Sequence, residues 1–558
     1  MIPGIGLGGN IEPDIGSSRV FDTIKHWIKE CDSTHSHSPY RKVKAPQRLL
    51  DIGPYDVSAP ETRDIRLVQN IREDVEYIAL SHCLGTNPTI RTTRSTLHRR
   101  LDSILWEELP KTYQDAIIVT RKLGIRYIWI DSLCIIQDEL NDWKEQAANM
   151  SGVCENSYLT LAVALATHDD RDNSICVRRI YDHKVVFPKS VLATRGWTLQ
   201  ETLVSPRLLT FAAVVLFECR ETSMSECGSG HCLNPFYIKA DDSNLGERQT
   251  NFSILEDDHP DEEVYTYWCK NIVQDYTSRN LKEPKDRLPA LSALASKYSM
   301  RLNGTYLAGH WRRDLVDSLF WRPERPARSI EGRAPSWSWV SIEGGVFFHN
   351  HQSGGGGQPH DCNRNIGLSN TWRIQDAGVE VRHDGVTGFI RGTGIIFPAT
   401  LDARWSGIAE QGEGLFDKHF AYTTLLSREG FEDQSERSES ISCNEYRPLT
   451  LDTHVRSVRL VAEDGSEFVT VQRSEQDFPA CSEVVCGTVF LLLCRDEIYD
   501  SYRCRLFLVL GAAPSHSLST PIYVRIGTFV AYTDSEQPGY SGMGPWFGTA
   551  EPHDFVLR

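Results

Sequence analysis

The stretch Arg121–Asp138, RKLGIRYIWIDSLCIIQD, decides how this chain is read. The residues leading into it, KTYQDAIIVTRK, put Ala116, Ile117, Thr120 and Leu123 on one face at helical spacing. Pro110 opens that helix, where its missing N–H costs nothing, and Gly124 ends it. A short apolar run, Tyr127 to Ile130, then stops abruptly at Asp131, Ser132 and Cys134. A buried strand ending in polar residues marks a site, because open α/β sheets place ligands at the carboxyl ends of their strands. Asp131 is the sharpest signal. An acidic residue directly after YIWI must cap a helix, pair with a cation or touch a ligand, since burying it alone is costly.

Working outward, APQRLLDIG (Ala45–Gly53), Arg66–Ile71 and YIAL (Tyr77–Leu80) read as strands, the last closed by Ser81, His82, Cys83 and Gly85. On the other side, Asp142–Val153 reads as a helix and Tyr158–Ala166 as a further strand. The alternation β, α, β, α, β predicts a parallel sheet with crossover helices, because parallel neighbours need a long connection. RGWTLQE (Arg195–Glu201) and two β-rich runs follow. From Asp257 the pattern turns helical, through YTYWCKNIVQDYTSR, DRLPALSALASKYS and WRRDLVDSLFWRP, and PSWSWVS (Pro335–Ser341) closes it. HNHQSGGGGQPHD (His349–Asp361) has the composition of a flexible linker. Beyond it, short apolar runs spaced by turn residues predict a β-rich, sandwich or barrel-like domain, with Ser427–Ser442 as an exposed acidic loop. Four parts result: an amino-terminal arm and first strand (1–65), an α/β domain (66–235), a helical region (236–345) and a β-rich domain (346–558).

Composition narrows the function classes. At 558 residues the chain is too long for one hydrophobic core. A net charge of −16 argues against a nucleic-acid surface, which needs clustered Lys and Arg. No run reaches the roughly 18 apolar residues of a membrane helix. The opening MIPGIGLGGNIEPD lacks a basic n-region and an apolar h-region, so the 15 cysteines are expected as thiols in a reducing, cytoplasmic setting.

Three constellations carry candidate chemistry. Cys134 with His82 has the makings of a nucleophile and its base if their strands are neighbours, although an isolated Cys is usually a small core hydrophobe. In RGWTLQE, Trp197 offers a flat face, Gln200 an amide and Glu201 a carboxylate one helical turn from Trp197. That set suits a planar ring beside a ribose or a developing positive charge; read as structure, it is a helix start with Trp in the core and Glu paired with Arg195 or Arg207. Cys219, Cys227, His231 and Cys232 have the right atoms for zinc, but the spacing matches no usual finger or ribbon, and the segment is read as a loop without metal. Phosphate-loop, nucleophile-elbow, zincin and kinase motifs are absent from the sequence.

The same residues carry a family resemblance. YIALSHCLG, LPKTYQDAIIVTRKLGIRYIWIDSLCIIQDELNDWKEQAANM and RGWTLQETLVSPRLLTF resemble the three signature blocks of the heterokaryon incompatibility (HET) domain of filamentous fungi, in family order from Tyr77 to Phe211. DRLPALSALA and APSWSWVS resemble segments that follow this domain in longer members. Leu84 stands where the family usually has Trp, and Cys154-Glu-Asn-Ser replaces a Tyr-containing version. The resemblance implies a parallel-sheet, TIR- or flavodoxin-like α/β domain and a role in nonself recognition leading to programmed cell death. It also implies kinship with TIR domains, some of which cleave NAD through a Glu in a W-x-x-x-E-like helix start, as Trp197–Glu201 is. On that footing Glu201 is the catalytic residue, with Asp131, His82 and Cys134 beside it, while Trp197, Ser81, Ser132 and Gln200 hold the ligand. NAD is then a substrate, with no cofactor or metal required. The expected partners are an incompatibility protein or a second copy of the chain. Two alternatives stay open: a non-catalytic, self-associating signalling module, and a Cys134/His82 enzyme recruited to a metabolic pathway.

Overall fold

The computed structural model describes residues 12, 14–35, 43–53, 64–83, 90–164, 191–212, 214–226, 253–255, 259–323, 330, 332–348, 372–381, 386–394, 396–405, 421–427, 449–450, 455–461, 467–470, 483–498, 502–512, 520–534 and 552–558. The chain divides into two compact units, Met1–Pro260 with Arg279–Arg301, and Asp261–Ser278 with Leu302–Arg558.

The first unit opens with helix α1 (Ser18–Thr34), whose N-cap Ser17 accepts from the Val20 N–H. Val20, Phe21, Ile24, Trp27, Ile28 and Cys31 recur at helical spacing and are buried. The amino-terminal segment is therefore packed over these residues rather than a loose arm, because this apolar stripe needs a partner surface. The elements that follow are β1 (Val43–Lys44), β2 (Arg48–Asp51), β3 (Arg66–Gln69), β4 (Asp74–Val75), β5 (Tyr77–Ser81), α2 (Leu97–Asp102) and α3 (Lys111–Lys122). Next come β6 (Tyr127–Trp129), α4 (Asp131–Cys134), α5 (Leu140–Glu155), β7 (Leu159–Val163), α6 (Gly196–Val204), β8 (Arg207–Phe211), β9 (Val215–Cys219) and β10 (Ser223–Ser225).

Eight strands form one sheet in the order β10-β9-β8-β7-β5-β6-β2-β3. The central pairs β5–β6, β5–β7 and β7–β8 are parallel. On one flank β9 and β10 are antiparallel because β8 to β9 and β9 to β10 are joined by turns too short for a crossover, and on the other β2 runs antiparallel to both β6 and β3. Every residue of β5, β7 and β8 is buried, as expected of parallel strands covered on both faces. The chain leaves β5 for β6 on one side and then returns to β7 on the other. The crevice of such a switch falls at the carboxyl end of β5, where Ser81 and His82 lie.

Buried polar anchors fix the loop after β6. Arg48 donates through Nε to the Cys134 carbonyl (2.6 Å) and through Nη2 to the Asp142 carboxylate (2.5 Å). Asp142 also accepts from the Ile136 N–H at 2.8 Å. Thr92 pins the other side, its N–H on the Ser132 carbonyl (2.9 Å) and its hydroxyl on that of Leu133 (2.7 Å). The segment after Arg279 buttresses the start of α6: Gly196 N–H donates to the Asn280 carbonyl (2.8 Å) and Arg279 Nη1 to the Thr198 hydroxyl (3.3 Å).

In the second unit, Asp261–Tyr267 continues through a π-turn, Trp268–Val273, into Gln274–Thr277. The segment WRRDLVDSLFWRP is not a continuous helix. Only Leu315–Ser318 is α-helical, and Trp321–Pro323 is a strand paired with Val346–Phe348, with Pro323 at its end, where a missing N–H is tolerated. Trp268, Trp311, Trp321, Trp337 and Trp339 are fully buried. The Gly309 carbonyl accepts from the indoles of Trp268 (3.1 Å) and Trp339 (3.2 Å). Gly309 has φ +99°, and a Cβ there would stand 2.5 Å from the Trp339 ring. The carboxy-terminal strands form an eleven-stranded sheet that is antiparallel except where Ile522–Asp534 meets His553–Leu557. Leu84, the Gly-rich segment 349–361 and residues 428–442 lie outside the described residues. Among the described residues, no helix is long and apolar enough to cross a membrane.

Candidate functional site

The parallel pairing of β5 and β6 sets Ala79 against Trp129, so Ser81 and His82 leave the sheet beside Asp131. Asp131 occupies the first turn of α4, where a carboxylate suits the positive helix end. Its Oδ1 accepts from the Ser132 N–H at 2.6 Å and lies 4.0 Å from His82 Nε2. His82 is buried, and that burial, reinforced by Arg195 and opposed by Asp131, lowers its pKa. The ring is thus neutral at neutral pH, and its contact with Asp131 is not an ion pair. His82 Nε2 meets the Tyr113 hydroxyl at 3.1 Å, and that hydroxyl meets the Ser132 hydroxyl at 2.7 Å. Tyr113 comes from α3, with its ring edge-on to His82.

From the opposite side α6 brings Glu201. The Ser81 hydroxyl donates to Glu201 Oε2 at 2.5 Å. Burial pushes the Glu201 carboxyl up to about 6, with Asp131 pushing the same way and Ser81, Arg195 and Arg279 opposing. Arg195, the residue preceding α6, donates to the His82 carbonyl at 2.5 Å. Hydroxyls lock α6 in place: Thr198 on the Leu192 carbonyl (2.7 Å), and Ser205 on the Glu201 carbonyl and the Thr160 hydroxyl (2.6 Å each). These bonds are why a helix of β-branched and polar residues holds a carboxylate in a sheet crevice.

The structure therefore brings Ser81, His82, Asp131, Ser132 and Glu201 together. Trp197 is half-buried, and its indole N–H donates to Asp286 at 3.3 Å. Gln200 is buried, and its Oε1 has no hydrogen-bond partner among the described residues. Cys134 goes into the core, where burial pushes its thiol up to about 12, the reverse of an activated nucleophile. Cys219 lies beside Cys31 and His35. Its companions in the sequence reading, Cys227, His231 and Cys232, are outside the described residues. Sequence reasoning missed Tyr113 and Arg279. Tyr113 stands three and four residues before Ala116 and Ile117 on the same helix face, and an inward Tyr needs a partner for its hydroxyl. Arg279 gives no such signal, because it reaches the site from a segment remote in sequence.

A neutral imidazole, a carboxylate with a raised pKa, three hydroxyls and two guanidinium groups gather at a switch point. This is an α/β domain with a polar site at the carboxyl ends of the parallel central strands of a mixed sheet. Residues 77–201 match the family model described as Heterokaryon incompatibility protein (HET), so the chain carries a HET domain there. The match runs from the first residue of β5 to Glu201 and so encloses every residue of this site except Arg279. No curated protein and no solved structure matches the chain.

Proposed function

We propose that this heterokaryon-incompatibility-type protein is a cell-death effector whose HET domain hydrolyses NAD at the bond between nicotinamide and ribose. The observation that carries the reading is the buried Glu201 carboxylate, held by Ser81 at the switch point and flanked by Arg195 and Arg279. As nicotinamide departs with the bonding electron pair, the ribose takes on oxocarbenium character, which an ionised Glu201 stabilises. Water then adds to the ribose and loses a proton, so the products are nicotinamide, ADP-ribose and H⁺. Arg195 and Arg279 offer positive charge to a diphosphate, Asp131 and His82 form the polar wall, and Trp197 presents a stacking face. The W-x-x-x-E run Trp197–Glu201, similar to the start of the TIR catalytic helix, supports the same assignment.

The test is direct. Full-length protein incubated with NAD should release nicotinamide, and Glu201→Ala, checked for native circular dichroism, should not. Equal release by the variant would overturn the assignment. One observation favours a second reading. Glu201 is only 6% exposed, and an enclosed, hydrogen-bonded carboxylate also suits a rigid, self-associating module without catalysis. That reading predicts unchanged NAD and toxicity that depends on oligomerisation. The Cys134/His82 enzyme lacks comparable support, since its thiol is buried and protonated.

A further inference from the structure

A second set of reactive side chains lies away from the HET site, where α1 meets β9. Trp27, Cys31 and His35 succeed one another at four-residue spacing, and Phe217 and Cys219 share one face of β9. The two stripes meet: Trp27 packs on Phe217 with ring centroids 6.3 Å apart. Two turns further along, Cys219 Sγ is 3.2 Å from His35 Nδ1. The two thiols and the imidazole have ligand atoms all within 4.8 Å of one another. In tetrahedral zinc sites, with bonds of roughly 2.0–2.3 Å, neighbouring sulfur and nitrogen ligands stand about 3.5–3.8 Å apart. The cluster is already close to that spacing.

We propose that Cys31, His35 and Cys219 form a binding site for a soft, tetrahedral cation, zinc in the first instance, that fastens the amino-terminal helix to the sheet. Two thiolates and one imidazole are a zinc donor set, leaving the fourth position for water or another ligand. Both cysteines are buried while His35 is half-exposed, so the ion has an entry path from the helix end. His35 sits just past the last turn of α1 in extended conformation, with its N–H on the Cys31 carbonyl. The surrounding charges suit the role. Arg207, paired in register with Cys219, engages the neighbouring Asp32 and stacks on Tyr158, so a cation stands beside the two thiols. In sequence, Cys31-x3-His35 is a helical ligand pair whose third member lies far along the chain, which is why spacing alone missed it.

The experiment uses the full chain, reduced and loaded with zinc, then freed of loosely held metal. Mass spectrometry of the metal should find one equivalent per chain, retained in the control Cys269→Ala and lost in Cys219→Ser and His35→Ala. His35→Ala, at a half-exposed helix end, should keep native circular dichroism, so its loss of metal would not come from unfolding. Cobalt(II) added to the unsubstituted protein should give thiolate-to-metal charge transfer and tetrahedral ligand-field bands, and neither in His35→Ala. The proposal is overturned if the reduced protein retains no zinc, if cobalt gives only an octahedral spectrum, or if His35→Ala and Cys219→Ser keep the equivalent. A Cys31–Cys219 disulfide whose reduced form takes up no zinc would overturn it equally, and make the pair a redox device.

Discussion

Replacing Glu201 with Gln should change how the first unit responds to pH more than it changes the unit's structure. Burial raises the Glu201 carboxyl from 4.5 to about 6, a difference of about 1.5. At about 1.36 kcal/mol for each pKa unit, ionised Glu201 costs the folded state about 2 kcal/mol. The sign follows from proton binding. The folded state holds the proton more tightly, so this contribution is fully present below pH 4.5 and is lost as pH rises through about 6. The glutamine keeps the shape of the side chain but cannot ionise. The variant should therefore gain about 2 kcal/mol relative to the native protein between pH 4.5 and 7.5, whatever its stability at the acid end. Hydrogen exchange of peptides spanning α6 and β8, corrected for intrinsic rates, reads the local opening free energy without assuming that the whole chain unfolds in one step. A difference that stays constant across the range would refute the reasoning, because Glu201 would then be no costlier to ionise in the fold than out of it.

Three further outcomes follow from the packing. Arg48→Ala strands the Asp142 carboxylate, which is only 9% exposed, and should destabilise the first unit by about 3–5 kcal/mol in denaturant unfolding; a loss under about 1 kcal/mol would show that the pair is not a buried anchor. Gly309→Ala forces a side chain onto a left-handed backbone and into the Trp339 ring, for about 2–4 kcal/mol lost in the calorimetric transition of the second unit, and an unchanged transition would contradict the packing. Burial makes His82 take up its proton at a lower pH than an ordinary imidazole of pKa 6.5, so its contribution to stability is lost as pH falls beneath that value. At pH 6.5 its ring nitrogen shifts should show more neutral imidazole than an ordinary histidine does, and an excess of imidazolium would mean that Asp131 outweighs burial.

Much of the first unit is legible in the sequence because its signals are local. The apolar run YIWI, its stop at Asp131 and the helix before it are short-range patterns, and β6, α4 and α3 lie where those patterns place them. The sequence pattern predicts only parallel strands, so the antiparallel flanks are not among its expectations, although short turns account for β8–β9–β10. What the sequence hides depends on long-range partners. The hydrogen bond between Ser81 and Glu201 joins two blocks through the order of strands, and nothing in either block specifies it. Cys134 looks reactive because its neighbours are polar in sequence, yet its side chain turns into the core and burial suppresses the thiolate. WRRDLVDSLFWRP carries enough helix formers to read as one helix, but Trp321–Pro323 gains a ladder with Val346–Phe348 that outweighs local propensity. The cluster of Cys31, His35 and Cys219 is a case of the same kind, two ligands on one helix turn and a third supplied by a distant strand.

If the HET domain cleaves NAD, the raised, buried carboxylate at the switch point is a working group rather than a keystone. The most direct measurement is nicotinamide release from NAD by the full-length protein and by Glu201→Gln, each followed from pH 5 to 8. The native protein should release nicotinamide at a rate that climbs through pH about 6 as Glu201 ionises, and the variant should release none at any pH. Release by the variant at the native rate, or no release by either protein while both are folded, would contradict it.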